Sequence, residues 1–246
     1  MQRTLAVWSP VVCAVLLLGL IVGSWSQPAC YPWRDAANNE PVHCYDESNN
    51  DNPGWKLQTI SEMTARSGTT AELLSGLAAL CLICIYHVLW YVEPAYTTWW
   101  HVVKISYAVG ALGFVGLTVW NLRVQSTVHT CFTSQTILAV FVQTSALTFA
   151  QKKRYNILTA LWAVLFLSMI AYVVLFSSHG APHPGKKYFE LKYYTHAIAQ
   201  IIFFEVYLIF LSQVARVTPL SPKAQRANTQ HDLQSNFQLL EHNISF

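Results

Sequence analysis

The sequence predicts an all-α polytopic membrane protein, a bundle of six transmembrane helices with a long first loop on the lumenal or extracellular side. Three observations carry this expectation. Hydrophobic residues make up 53% of the chain and charged residues only 11%, where a soluble domain carries roughly 25% charged. The 12 acids and 15 bases gather in short stretches, separated by apolar runs close to the roughly 20 residues that span hydrocarbon. These runs do not alternate apolar with polar residues as barrel strands do; residues 158–170 read LTALWAVLFLSMI. A helix satisfies its own backbone in lipid, so six of them need no sheet partner.

The first expected span covers residues 5–25. Gly19 and Gly23 form a small-xxx-small pair that lets another helix approach, and Trp25 suits an interfacial anchor. A second reading makes this segment a cleaved signal peptide, with Arg3 ahead of the apolar centre and Ser24-Trp25-Ser26 as the processing site; five spans would then remain. The long loop, residues 26–71, follows. The second span, 72–92, ends before Glu93-Pro94. The third, 102–122, carries Gly110, Gly113 and Gly116 at every third position, a nearly flat face for close packing. The fourth, 131–150, has a polar face with Gln135, Thr136, Gln143, Thr144 and Thr148. The fifth covers 155–177 and the sixth 193–213. The tail, 214–246, is polar, broken by Pro219 and Pro222, and expected to be largely disordered. Leu233, Phe237, Leu240 and Ile244 also have the spacing of a short amphipathic surface helix.

Orientation follows from charge. Lys152, Lys153 and Arg154 form the one dense basic cluster in a short connection, between spans four and five, and the positive-inside rule places them in the cytosol. Both termini are then cytosolic. Lys186, Lys187 and Lys192 fall on the opposite side and run against the rule. Cys30 and Cys44 lie in the long loop, where an oxidising compartment would permit a disulfide; two free thiols are the alternative. Cys81 and Cys84 form a C-x-x-C within a span. A structural zinc site needs four ligands, and no cysteine or histidine pair completes one, so these two read as small packing residues, like Cys13 and Cys131.

Glu205 lies near the middle of the sixth span. A carboxylate there costs roughly 3 kcal/mol or more, so it is expected to face the bundle. It reads either as a functional group (a proton relay, or a contact to a lipid headgroup or substrate) or as a structural one bonded to the polar side chains of span four. Glu72, Asn121, Gln125, His129 and His196 fall near the lumenal ends of their spans. They would form a small polar pocket if they converge, and otherwise lie solvated among headgroups. His87 reads as a buried, singly bonded histidine. The sequence has no phosphate-cradling glycine loop, no G-x-S-x-G elbow, no metal-ligand spacing on one helix and no rows of arginine as in a voltage sensor. No catalytic residue, metal or cofactor is assigned. A net charge of +3 without a basic stripe gives no reason to expect nucleic acid.

Three local patterns, in order along the chain, resemble the Frag/DRAM/Sfk family, which includes the damage-regulated autophagy modulators. They are Ile60-Ser61-Glu62 before span two; Gly110 and Gly113 through Asn121, then Gln125 and Val128-His129; and Tyr193-Tyr194 and His196 followed by Gln200 and Phe203-Phe204. The family carries a carboxylate where this chain has Gln200 or, one turn later, Glu205. Thr59 replaces the proline usual before the first pattern, and the first loop is longer, with its own cysteine pair. The resemblance implies a non-catalytic membrane modulator of endolysosomes and autophagy, or of the plasma membrane. Its partners would be the lipid bilayer and membrane or cytosolic proteins reached through its helices and tail. The alternative it implies is a lipid-handling or GPI-lipid-remodelling protein of the Golgi. The polar face of span four alone would suit a small channel or transporter.

Overall fold

The computed structural model describes residues 2–25, 60, 69–92, 98–119, 126–149, 156–177, 187–219, 221 and 225. The described elements are six helices: α1 Gln2–Trp25, α2 Thr69–Val92, α3 Thr98–Val119, α4 Ser126–Phe149, α5 Asn156–Ser177 and α6 Lys187–Val217. No strand occurs among the described residues. Cys30, Cys44, Asn121, Gln125, Lys152, Lys153 and Arg154 lie outside them, as does most of the expected tail.

Five of the helices are both long and apolar enough to cross a membrane, so the chain is a helical, membrane-embedded protein. The exception is α4. Its 24 residues rise about 36 Å, more than the hydrocarbon thickness of about 30 Å, so its length suffices. Its hydroxyls and glutamines lower its hydropathy. They are, however, turned inward: Thr136 and Thr144 are fully buried and Gln143 nearly so, while Leu138 on the opposite face is 60% exposed. The same polarity recurs around the bundle. Val15 on α1, Ile83 on α2, Leu112 on α3 and Leu167 on α5 all point outward. A surface this apolar around a partly polar interior suits lipid as the surrounding solvent.

The α4 hydroxyls are satisfied locally. Thr133, Thr136, Thr144, Ser145 and Thr148 each donate to the carbonyl four residues back, at 2.7–2.9 Å. A hydroxyl bonded to its own helix needs no water, which makes it tolerable at depth.

Helix α6 is the hub, packing on α1, α2, α4 and α5. Phe203, Phe210, Leu211, Val214 and Ala215 are buried along it. It stays helical to Val217, so residues 214–217 belong to the helix rather than to the tail. At its end Arg3 of α1 donates to the Arg216 carbonyl at 2.6 Å. Cys13 of α1 and Cys84 of α2 meet at 3.6 Å between sulfurs, a thiol contact and not a disulfide, whose sulfurs lie about 2.05 Å apart. Cys131, expected to pack, is exposed instead.

The tightest pairing is α3 with α4. A Cβ on Gly113 would strike the Thr136 hydroxyl, and one on Gly116 would enter the Phe132 ring. The expected flat face is therefore used, and it faces α4. Helix α5 is fastened to α4 by aromatics: Trp162 donates to Ser145 Oγ at 2.9 Å and meets the Phe149 ring edge-on at 4.8 Å between centroids.

Gly113→Ala and Gly116→Ala should each destabilise the detergent-purified protein by about 1–3 kcal/mol through overpacking. Gly76→Ala, where nothing lies within 4 Å, should stay within about 0.5 kcal/mol of wild type. Thermal unfolding monitored by size-exclusion fluorescence reads the difference; equal shifts for all three would contradict the packing.

Candidate functional site

Outside their own pairing, α3 and α4 are lightly attached. Helix α3 makes little contact with α2, and α4 little with α6. A cleft therefore separates the α3–α4 hairpin from α2 and α6, and within it lies a cavity of about 90 Å³, partly open to the surface.

The α2 wall is Leu74, Leu77, Ala78, Cys81 and Ile85, a run at helical spacing along one face. From α3 come Phe114, Leu117 and Thr118, and from α6 come Gln200, Phe204, Tyr207 and Leu208. Helix α4 contributes His129 and Thr133, and Leu17 of α1 and Ile60 complete the enclosure. The lining is almost wholly apolar. Its polar members Thr118, His129, Thr133 and Gln200 belong to one end of the bundle, where α3 finishes and α4 begins. Gln200 is held in place there: its Oε1 accepts the Ile60 backbone N–H at 2.8 Å.

Several contacts cross the cleft, among them the rings of Tyr86 on α2 and Tyr107 on α3, 6.1 Å apart. Tyr107 of α3 donates to the Leu82 carbonyl of α2 at 3.1 Å. The rings of Phe114 and Phe204 lie 6.0 Å apart. Tyr207 of α6 donates to Oε1 of Gln143 on α4, and both residues are at least 97% buried. Nε2 of that glutamine is buried without a hydrogen-bond partner. Tyr207 lines the cavity, so this bond helps to close its inner end.

Of the residues singled out from sequence, His129 and Gln200 come together in the cavity lining. Glu72 does not join them; it is exposed on the first turn of α2. The backbone of His196 lies on α6, but its side chain is outside the described residues. His87 is half-buried, its ring 6.3 Å from that of Tyr91, and its Nε2 has no hydrogen-bond partner, unlike the singly bonded histidine expected. No group of three or more metal-ligating side chains occurs among the described residues.

Glu205 is half-buried, and its Oε1 is enclosed without a hydrogen-bond partner. The polar residues of α4 are committed elsewhere. Gln135 donates to the Val109 carbonyl at 2.8 Å, Gln143 accepts from Tyr207, and the threonines bond to their own helix. The helical wheel gives the reason. Gln200, Phe204 and Tyr207, at i, i+4 and i+7, share the cavity face, and Glu205 sits beside that face, towards outward-pointing Ile198, Ile202 and Ile209. The i, i+4, i+7 pattern that places Tyr207 beside Gln200 is present in the sequence; what hides it is the uniform hydrophobicity around it.

No family model, curated protein or solved structure matches the chain. Fold and site together define a helical membrane protein with an apolar cleft between a glycine-packed hairpin and a central helix.

Tyr207→Phe should cost about 1–3 kcal/mol, because it strands a buried glutamine. Adding Gln143→Leu should recover most of the loss in a double-mutant cycle. Glu205→Leu should leave thermal stability unchanged or raise it, since the carboxyl makes no hydrogen bond to lose; a marked fall in melting temperature would mean that Glu205 holds the fold.

Proposed function

We propose that the chain is a six-span, non-catalytic membrane modulator resembling the damage-regulated autophagy modulators, acting in endolysosomal or plasma membrane through its helices and cytosolic tail. The observation that carries this reading is how the tail is rooted. Ser221, just beyond α6, is buried, and its N–H donates to the Tyr91 carbonyl of α2 at 2.9 Å. Gln225 then bonds back to Ser221 at 2.9 Å. The hub helix thus runs directly into the segment offered to cytosolic partners. A shift of α2 against α6 would reach that segment through the backbone bond of Ser221 to Tyr91.

The sixth span in this reading is α4, supported by its length, its outward Leu138 and its inward, self-bonded hydroxyls. With six spans the N-terminus and the tail share one side. Lys152, Lys153 and Arg154 favour the cytosol for that side. The 26–71 loop then faces the lumen or exterior, where Cys30 and Cys44 would meet oxidising conditions. The cleft supports a second reading, a lipid-handling protein, because its lining is apolar and lies within the span.

Cells expressing the chain tagged at both ends test the proposal. Selective permeabilisation of the plasma membrane should expose both tags, and the protein should colocalise with lysosomal or plasma-membrane markers. Deleting residues 226–246, which spares the Ser221 contact, should reduce any effect on autophagic flux at least about twofold while abundance holds. Tags on opposite sides would refute six spans; full function after the deletion would refute the role of the tail.

A further inference from the structure

We infer that the cleft between the α3–α4 hairpin and α2/α6 is a binding site for one acyl chain of a membrane lipid, entering sideways between α2 and α3. The inference rests on the bilayer placement of the helices proposed above and is independent of the modulator role.

Three features of the cleft lead to this ligand class. The first is its depth. The lining runs from Leu74 to Ile85 on α2 and from Gln200 to Leu208 on α6, which at 1.5 Å per residue is about 16 Å and about 12 Å. Half the hydrocarbon thickness is about 15 Å. The slot therefore reaches from one membrane surface to near the midplane, the reach of one chain in one leaflet. The second is its polarity, which is graded like a lipid. The deep walls are Ile85, Phe204 and Leu208, whereas His129, Thr133 and Gln200 lie towards the end where a headgroup would sit. A water-filled pocket would need two to four polar partners for each water along its depth, and the apolar stretch supplies none.

The third is access. Thr118 lines the cavity and is exposed on α3, and α2 and α3 make little contact, so the opening faces the region occupied by lipid tails. The floor is closed by the bond from Tyr207 to Gln143, which stops the slot from running through to the other leaflet. A continuous solute path has no support from this shape.

The test uses the full chain in cell membranes with a photoactivatable, alkyne-tagged palmitic acid metabolised into phospholipid. After illumination, labelled peptides are mapped by mass spectrometry. Labelling is expected on the α2 peptide carrying Ala78 and Cys81 and on the α3 peptide carrying Leu117. Ala78→Trp and Leu117→Trp, which fill the slot, should each lower that labelling at least about fivefold. Leu167→Trp, on the outward face of α5 where the leucine is 64% exposed, should leave it unchanged. Elution volume and melting temperature of each variant confirm that it folds, and the two slot variants act independently.

Labelling of slot peptides that survives both tryptophans would overturn the proposal. So would labelling confined to outward α5 positions, which would report bulk lipid while leaving the bilayer placement intact. Absence of labelling on every helix, together with release of the protein by alkaline carbonate, would remove the bilayer placement and the inference together. A sterol photoprobe that labels the slot while the palmitate probe does not would replace the acyl chain by a different ligand class.

Discussion

A buried polar side chain needs its partner within the protein, and this constraint shapes the bundle around α4. Its hydroxyls turn back onto their own backbone, and Gln143 reaches across to Tyr207. Each choice leaves the outer face free to be apolar. In the six-span arrangement an unsatisfied group there would cost several kcal/mol, more than the contribution of most single packing contacts. Polarity therefore fixes the rotation of α4 about its axis more firmly than shape alone. Once α4 is oriented, α3 is oriented with it, because the glycine face can close only on Thr136 and Phe132.

The bundle then divides into two parts of unequal cohesion. The α3–α4 hairpin is bound along its glycine face, and α1, α2, α5 and α6 gather around the hub helix. What joins the parts is sparse: two tyrosine hydrogen bonds, two aromatic pairs and, between α4 and α5, the Trp162–Ser145 bond with its neighbouring ring contacts. Glycine creates close approach on one side of α3 and, by drawing the hairpin together, leaves space on the other. The cleft thus follows from how α3 pairs with α4.

Much of the architecture was legible in the sequence. The six described helices overlap the expected spans, and five of them are apolar enough to cross a membrane, because length and hydropathy are one-dimensional properties. Gly110, Gly113 and Gly116 announced a flat face by spacing alone. The candidate site was legible only in part. His129 and Gln200 lie in the cavity lining, but Glu72 is exposed away from it, because convergence depends on how each helix is rotated. Tyr207 was invisible as a functional residue, since an aromatic in an apolar run looks like any other packing group until its hydroxyl finds Gln143. Glu205 stands out in the sequence as a charge at depth, and the expected partners on α4 bond instead to their own backbone, to the Val109 carbonyl of α3 and to Tyr207.

The polar interior of α4 also bears on how the chain enters a membrane. A segment is released into lipid according to its own hydrophobicity, and α4 is the one helix whose composition falls short of the others. In the six-span arrangement it would enter poorly by itself. Its neighbour α3 precedes it by a short connection and presents the face onto which it closes. Delivered together, the two helices hide the inward face of α4 before lipid meets it. In that arrangement the glycine face of α3 would serve as the template on which α4 assembles, and the pair of helices would enter as one unit.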